Sequence, residues 1–181
     1  MNQNDAQIIE GCLRKDERAY RALYDRFAPK MFGVCLRYTN SRAAAEDVLN
    51  DGFVKVFENL HRLRDKSLIE AWMRRIMVYT AINSQRKELP LASADEINTD
   101  YVSDYTTHDD IVSRIDASIV VQTMQTLPPT FRAAINLCEI EGYSYEEAAK
   151  MMGVKTSSLR GTLVRAKKML AEKLTSCVSS K

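Results

Sequence analysis

Glycine and proline are scarce, 6 and 4 in 181 residues, too few to punctuate the turns of an all-β chain. No apolar run approaches the ~20 residues that span a bilayer, so no membrane insertion is expected. The N-terminal MNQNDAQIIEGCLRKDERAY has no apolar core behind a basic start, and no signal peptide is expected from it. The four cysteines, Cys12, Cys35, Cys138 and Cys177, stand far apart without a CxxC pair, and only His61 and His108 are available to assist them. That spacing argues against a zinc site and for reduced thiols in a cytoplasmic protein. There is no glycine-rich phosphate loop, GxSxG, HExxH or DxDxDG pattern, so no catalytic residue, metal or cofactor is expected. The adjacent carboxylates Glu46–Asp47 and Glu146–Glu147 do not point at one site.

What is present is a globular composition, 45% apolar and 28% charged, with a net charge of only +2. The charge is unevenly placed. Residues 1–87 hold 16 Lys/Arg against 11 Asp/Glu, residues 88–115 hold 1 against 7, and residues 116–181 hold 9 against 6. Two basic blocks flanking an acidic one hint at a polyanionic partner.

The apolar pattern is helical throughout. Asn4 or Asp5 can cap a short first helix carrying Ile8, Ile9, Cys12 and Leu13. Asp16 can cap a second, with Tyr20, Leu23, Tyr24 and Phe27 at helical spacing. Pro29 reads as punctuation, or as the first turn of a further helix holding Met31, Val34, Cys35 and Tyr38. Residues 41–60 give the clearest stripe, Ala45, Val48, Leu49, Phe53, Val56, Phe57 and Leu60, behind Ser41 as N-cap. Gly52 within it costs about 1 kcal/mol relative to Ala, unless it permits close approach by a neighbour. A charged loop then leads into a helix near Ile69, with Trp72, Ile76 and Tyr79 at its period and Arg74, Arg75, Arg86 and Lys87 as cations.

Residues 88–110 lose periodicity and read as a linker. Helical spacing returns over 111–126 and breaks at LPPT, and a short apolar helix follows to Ile140 before Gly142. Ser144 and Glu147 form a capping box. Gly153 sits where a helix end wants a left-handed residue. Thr156 or Ser157 can cap the next helix, whose Leu159, Leu163, Ala166, Leu170 and Leu174 make one buried face. This is helix-turn-helix grammar. Its outer face offers Ser157, Ser158, Arg160, Thr162, Arg165 and Lys167, hydroxyls and cations suited to base edges and phosphates. The predicted fold is all-α, an N-terminal helical bundle and a C-terminal helix-turn-helix domain joined by an acidic flexible linker.

From the residues alone, a duplex-binding regulator and a helical adaptor with solvated basic faces both stay open. Five stretches in order narrow the field: LYDRFAPKMFGVCLRY (23–38), AEDVLNDGFVKVFENL (45–60), AWMRRIMVYTAINSQRK (71–87), LPPTFRAAINLCEIEGYSYEEAAKMMGV (127–154) and LVRAKKML (163–170). With them the chain resembles bacterial sigma factors of the extracytoplasmic-function group, within the sigma-70 family. The resemblance covers nearly everything outside the linker and the tips.

The resemblance implies a specificity subunit of RNA polymerase that performs no chemistry itself. Residues 1–87 would be the region 2 domain, 88–115 the linker and 116–181 the region 4 domain. Docking on the coiled coil of the largest polymerase subunit would fall to Glu46, Asp47, Asn50, Asp51 and Phe53, with the flap region as a further contact. Minus-ten capture and melting would involve Arg64, Asp65, Lys66, Trp72, Arg75, Tyr79, Asn83, Arg86 and Lys87. Minus-thirty-five readout would use the six outer-face residues from Ser157 to Lys167 named above. Promoter DNA and an anti-sigma protein are the other implied partners. Departures from the common pattern are Tyr79 in place of Asn, Asp65–Lys66 in place of Gly-Glu, and LRGTL (159–163) in place of VKSRL. The last implies fewer phosphate contacts than usual.

Overall fold

The computed structural model describes residues 3–86 and 117–179, and every regular element among them is helical. The expected linker 88–115, Lys87 and the start of the helix anticipated at 111 lie outside the described residues. The first group holds α1 (Gln3–Leu13), α2 (Glu17–Tyr38), α3 (Arg42–Asn59) and α4 (Ile69–Arg86). Two 3-10 turns, Leu60–Arg62 and Lys66–Leu68, separate α3 from α4. The second group holds α5 (Ala117–Gln125), α6 (Pro129–Ile135), a π-helical turn (Asn136–Ile140), α7 (Tyr145–Met152) and α8 (Thr156–Ser179).

The caps fall where the short polar side chains are. Asp16 accepts from the Arg18 amide at 2.9 Å and starts α2; Ser41 accepts from the Ala44 amide at 3.2 Å and starts α3. Pro29 does not punctuate. One helix runs through it from Glu17 to Tyr38. Proline inside a helix costs ~3 kcal/mol or more, because it deprives the carbonyl four residues back of its donor. Here that residue, Asp25, is exposed, as is Pro29 itself, so water can serve the carbonyl. Meanwhile Phe27, Ala28 and Met31 on the inner side are buried and hold both halves to one core.

α3 packs on α2 through tilted rings, with Tyr24 and Phe53 at 4.5 Å between centroids and Tyr20 and Phe57 at 4.8 Å. It meets α4 at Gly52. A Cβ built there would run into the Sδ and Cε end of Met77, which is buried and would have to shift within the core. The glycine is therefore a close approach of two helices. Gly52→Ala is expected to destabilise by about 1–3 kcal/mol from overpacking, against the ~1 kcal/mol that helix propensity alone would return. Thermal unfolding decides the sign.

In the second group Pro128 and Pro129 stop α5 and open α6, Pro129 standing in the first turn where its missing N–H costs little. Gly142 and Gly153 take positive φ, 73° and 67°, at the turns before and after α7. The Ser144–Glu147 capping box is complete in both directions. α8 begins at Thr156, and the Lys155 carbonyl receives its first bond, from Leu159 N at 3.0 Å. Thr156 and Ser157 thus lie inside the first turn and neither precedes it as a cap. Leu137, Ala148, Ala149, Leu159, Leu163 and Ala166 close the core. Each fully buried leucine contributes about 1.5–3 kcal/mol. Leu170 and Leu174 are only half-buried. The groups touch each other, α5 and α6 against α2 and α7 against α4.

Candidate polymerase and nucleic-acid interfaces

The outer side of α3 carries Glu46, Asp47, Asn50 and Asp51, all exposed. Residues 46, 47, 50 and 51 follow the helical period, so one patch gathers three carboxylates and an amide. Glu46 is tied within the helix to Arg42 at 2.9 Å. Phe53 does not belong to this surface. It is 2% exposed and stacked on Tyr24, so its apolar ring is a core element; the exposed apolar neighbour is Val54. A patch of this charge suits a basic protein surface.

On α4, residues 75, 79 and 83 recur every four positions and share one line. The Arg75 guanidinium lies over the Tyr79 ring, 5.7 Å from its centroid, and Asn83 is exposed. A half-buried phenol backed by a cation can stack with an unpaired base. Trp72 cannot, being 3% exposed inside the core. In the preceding loop Arg64 and Asp65 are exposed, and Asp65 and Lys66 have partners within the chain. Asp65 accepts from Ser67 N and Oγ at 2.8 and 2.7 Å, bonds that hold its carboxyl below the usual range and cap the short turn. Lys66 donates to Glu10 of α1 at 2.8 Å, holding that carboxyl low as well. Both residues shape the loop in this structure while staying in reach of solvent. Arg86 ends α4, one turn beyond the line.

On α8, Ser157, Ser158, Arg160, Arg165 and Lys167 are exposed and Thr162 is half-buried. The second group's other helices support these cations. Arg160 lies 5.5 Å from the centroid of Tyr145 and 3.9 Å from Glu146 Oε1. Arg165 lies 5.8 Å from the centroid of Phe131. Lys167 donates to Glu139 at 2.8 Å, which raises its pKa. The supporting residues Phe131, Glu139, Tyr145 and Glu146 were missed by sequence reasoning. Only the i,i+3-type charge match within a helix is visible from spacing, and these pairs join different helices. Arg74 was also missed as a site residue; it turns away from the Arg75 line toward Glu141 of the second group.

Two of the cysteines, Cys12 and Cys35, are buried. Burial pushes the Cys35 thiol up to about 12 and the Cys12 thiol to about 11. Among the described residues no group of His, Cys, Asp and Glu is placed to hold a metal ion. No described helix is long and apolar enough to cross a membrane.

Comparison with known proteins matches Sigma-70 region 2 to residues 23–89 and Sigma-70 region 4 to residues 118–170. The ECF RNA polymerase sigma-E factor of Haemophilus influenzae is 30% identical over 180 residues, 94% of this chain and 95% of that protein. The chain belongs to the sigma-70 family, in its extracytoplasmic-function group. The RNA polymerase sigma-H factor of Pseudomonas aeruginosa is 28% identical, covering 95% of this chain and 94% of its own length. The sigma factor RpoE of Bartonella quintana, solved with the anti-sigma factor NepR, shares the fold with a TM-score of 0.52 at 19% identity. That superposition spans 86% of this chain and 96% of the other. As a sigma factor the chain binds RNA polymerase core and directs promoter-specific initiation. Region 2 thus takes in most of α2 with α3 and α4, and region 4 takes in α5, α6, α7 and the first part of α8.

Proposed function

We propose that the two helical groups divide promoter recognition between them, residues 1–87 acting on the minus-ten element, 116–181 on the minus-thirty-five element, and 88–115 joining them. The acidic patch of α3, Glu46, Asp47, Asn50 and Asp51, docks on the coiled coil of the largest polymerase subunit. The α4 line of Arg75, Tyr79 and Asn83, with Arg64, Arg86 and Lys87 as further cations, holds the opened strand. Ser157, Ser158, Arg160, Thr162, Arg165 and Lys167 read duplex in the major groove, while the flap region of the polymerase supports the second group. The protein acts in the cytoplasm, and bond making belongs to the polymerase alone.

The carrying observation is the presence in one chain of both regions, in order, each with its own exposed polar face. An anti-sigma partner, such as the Bartonella quintana protein has, is part of the proposal. The test is run-off transcription by core enzyme with this protein on a library of random upstream sequences. Enriched templates should share two motifs at a fixed spacing. Failure to co-elute with core polymerase would overturn the reading.

A further inference from the structure

An α-helix leaves its last carbonyls without partners of its own. At the end of α2 they are covered from outside. Gln125 Nε2 donates to Leu36 O at 3.2 Å, Asn136 Nδ2 to Arg37 O at 2.8 Å, and Arg132 Nη1 to Thr39 O at 3.0 Å. All three donors belong to the second helical group, while Tyr38 O is served from the first, by Gln85. Arg132, 2% exposed, also sets a cation at the negative end of the α2 dipole. These contacts are polar and directional, of the kind that water replaces when two domains part.

Beside this cap lies Glu141, just after the π-helical turn. Its side chain is 5% exposed and faces two guanidiniums of the first group. Arg37 Nη2 donates to Oε1 at 2.8 Å; Arg74 donates through Nε to Oε2 at 2.5 Å and through Nη2 to Oε1 at 3.2 Å. The two-pronged grip of Arg74 is one that guanidinium offers equally to a carboxylate and to a phosphate. Both arginines come from region 2, while the anion between them comes from region 4. Parted from Glu141, Arg37 and Arg74 are two converging cations, and Arg74 stands about 100° around α4 from its sequence neighbour Arg75.

We infer that Arg37 and Arg74 form a phosphate site for the promoter single strand, which Glu141 fills while the two helical groups are closed on each other. The inference rests on the reading of α4 as the strand-holding helix. Closure and strand capture then exclude each other. The acidic patch of α3 and the outer face of α8 stay exposed in the closed chain, so polymerase docking and duplex reading need no prior opening. Glu141 acts as an internal stand-in for a phosphate.

The test uses the full chain without polymerase and a short fluorescein-labelled DNA single strand of mixed sequence, read by anisotropy at fixed salt. Glu141→Gln is expected to bind it about tenfold more tightly, the kind of factor by which a dominant closed population lowers apparent affinity. Adding Arg74→Gln should abolish the gain. Small-angle scattering should show a larger radius of gyration for Glu141→Gln. In the unsubstituted protein, saturating single strand should itself raise that radius, a measurement that needs no variant to fold. Unchanged affinity in Glu141→Gln, or strand binding by the unsubstituted chain without expansion, overturns the inference. Because neither readout involves polymerase, a failure to assemble with core enzyme would remove the proposed function and leave these results separately legible.

Discussion

Asp51→Arg is expected to lose core polymerase by at least about thirtyfold, since like charges brought together across an interface cost several kcal/mol. The substitution places a cation at the C-terminal edge of the α3 patch, next to Asn50 and one turn from Asp47. Asp51 is exposed and takes part in none of the ion pairs seen on α3, so folding stability should move by less than ~0.5 kcal/mol. Co-elution with core enzyme reads the loss, and a thermal melt checks the fold. DNA binding through α8 should be untouched, because Asp51 and the recognition face lie in different helical groups. Normal assembly of Asp51→Arg would withdraw the docking patch.

Arg160→Ala is expected to weaken duplex binding by roughly ten- to a hundredfold, the value of one good two-pronged contact to a guanine edge. The guanidinium is held over Tyr145 and near Glu146, which limits its freedom before DNA arrives. Arg160→Lys should recover only part of the loss, since an ammonium keeps the charge and lacks the fork. Selection from random duplexes separates the two roles. A base-reading arginine relaxes sequence preference at one position; a phosphate contact weakens all sequences alike and lowers the salt dependence. Polymerase assembly should be spared by both variants.

Local chemistry is readable in the residues themselves. Ser41, Asp16, the Ser144–Glu147 box and Gly153 each do what their side chains dictate within a few residues, and the helices begin and end there. The exposed faces of α3 and α8 follow from helical spacing alone. Pro29 misled because the cost of a proline inside a helix is local, whereas the packing of Phe27, Ala28 and Met31 that overrides it is tertiary. Phe53 and Trp72 misled for a related reason. An aromatic at the edge of an apolar stripe reads the same whether it fills a core or waits for a partner, and both are inside. The contact of Glu141 with Arg37 and Arg74 joins residues 104 and 67 positions apart, and no periodicity reports on that. The π-helical turn that precedes Glu141 has no composition of its own to announce it.

Gly52 carries a mechanical consequence. With no side chain at Gly52, the Met77 side chain of α4 fills the space that a Cβ on α3 would take. A load applied to the acidic side of one helix would reach the other with little play. If α3 docks as proposed, docking would also set the bearing of α4, the helix proposed to hold the opened strand.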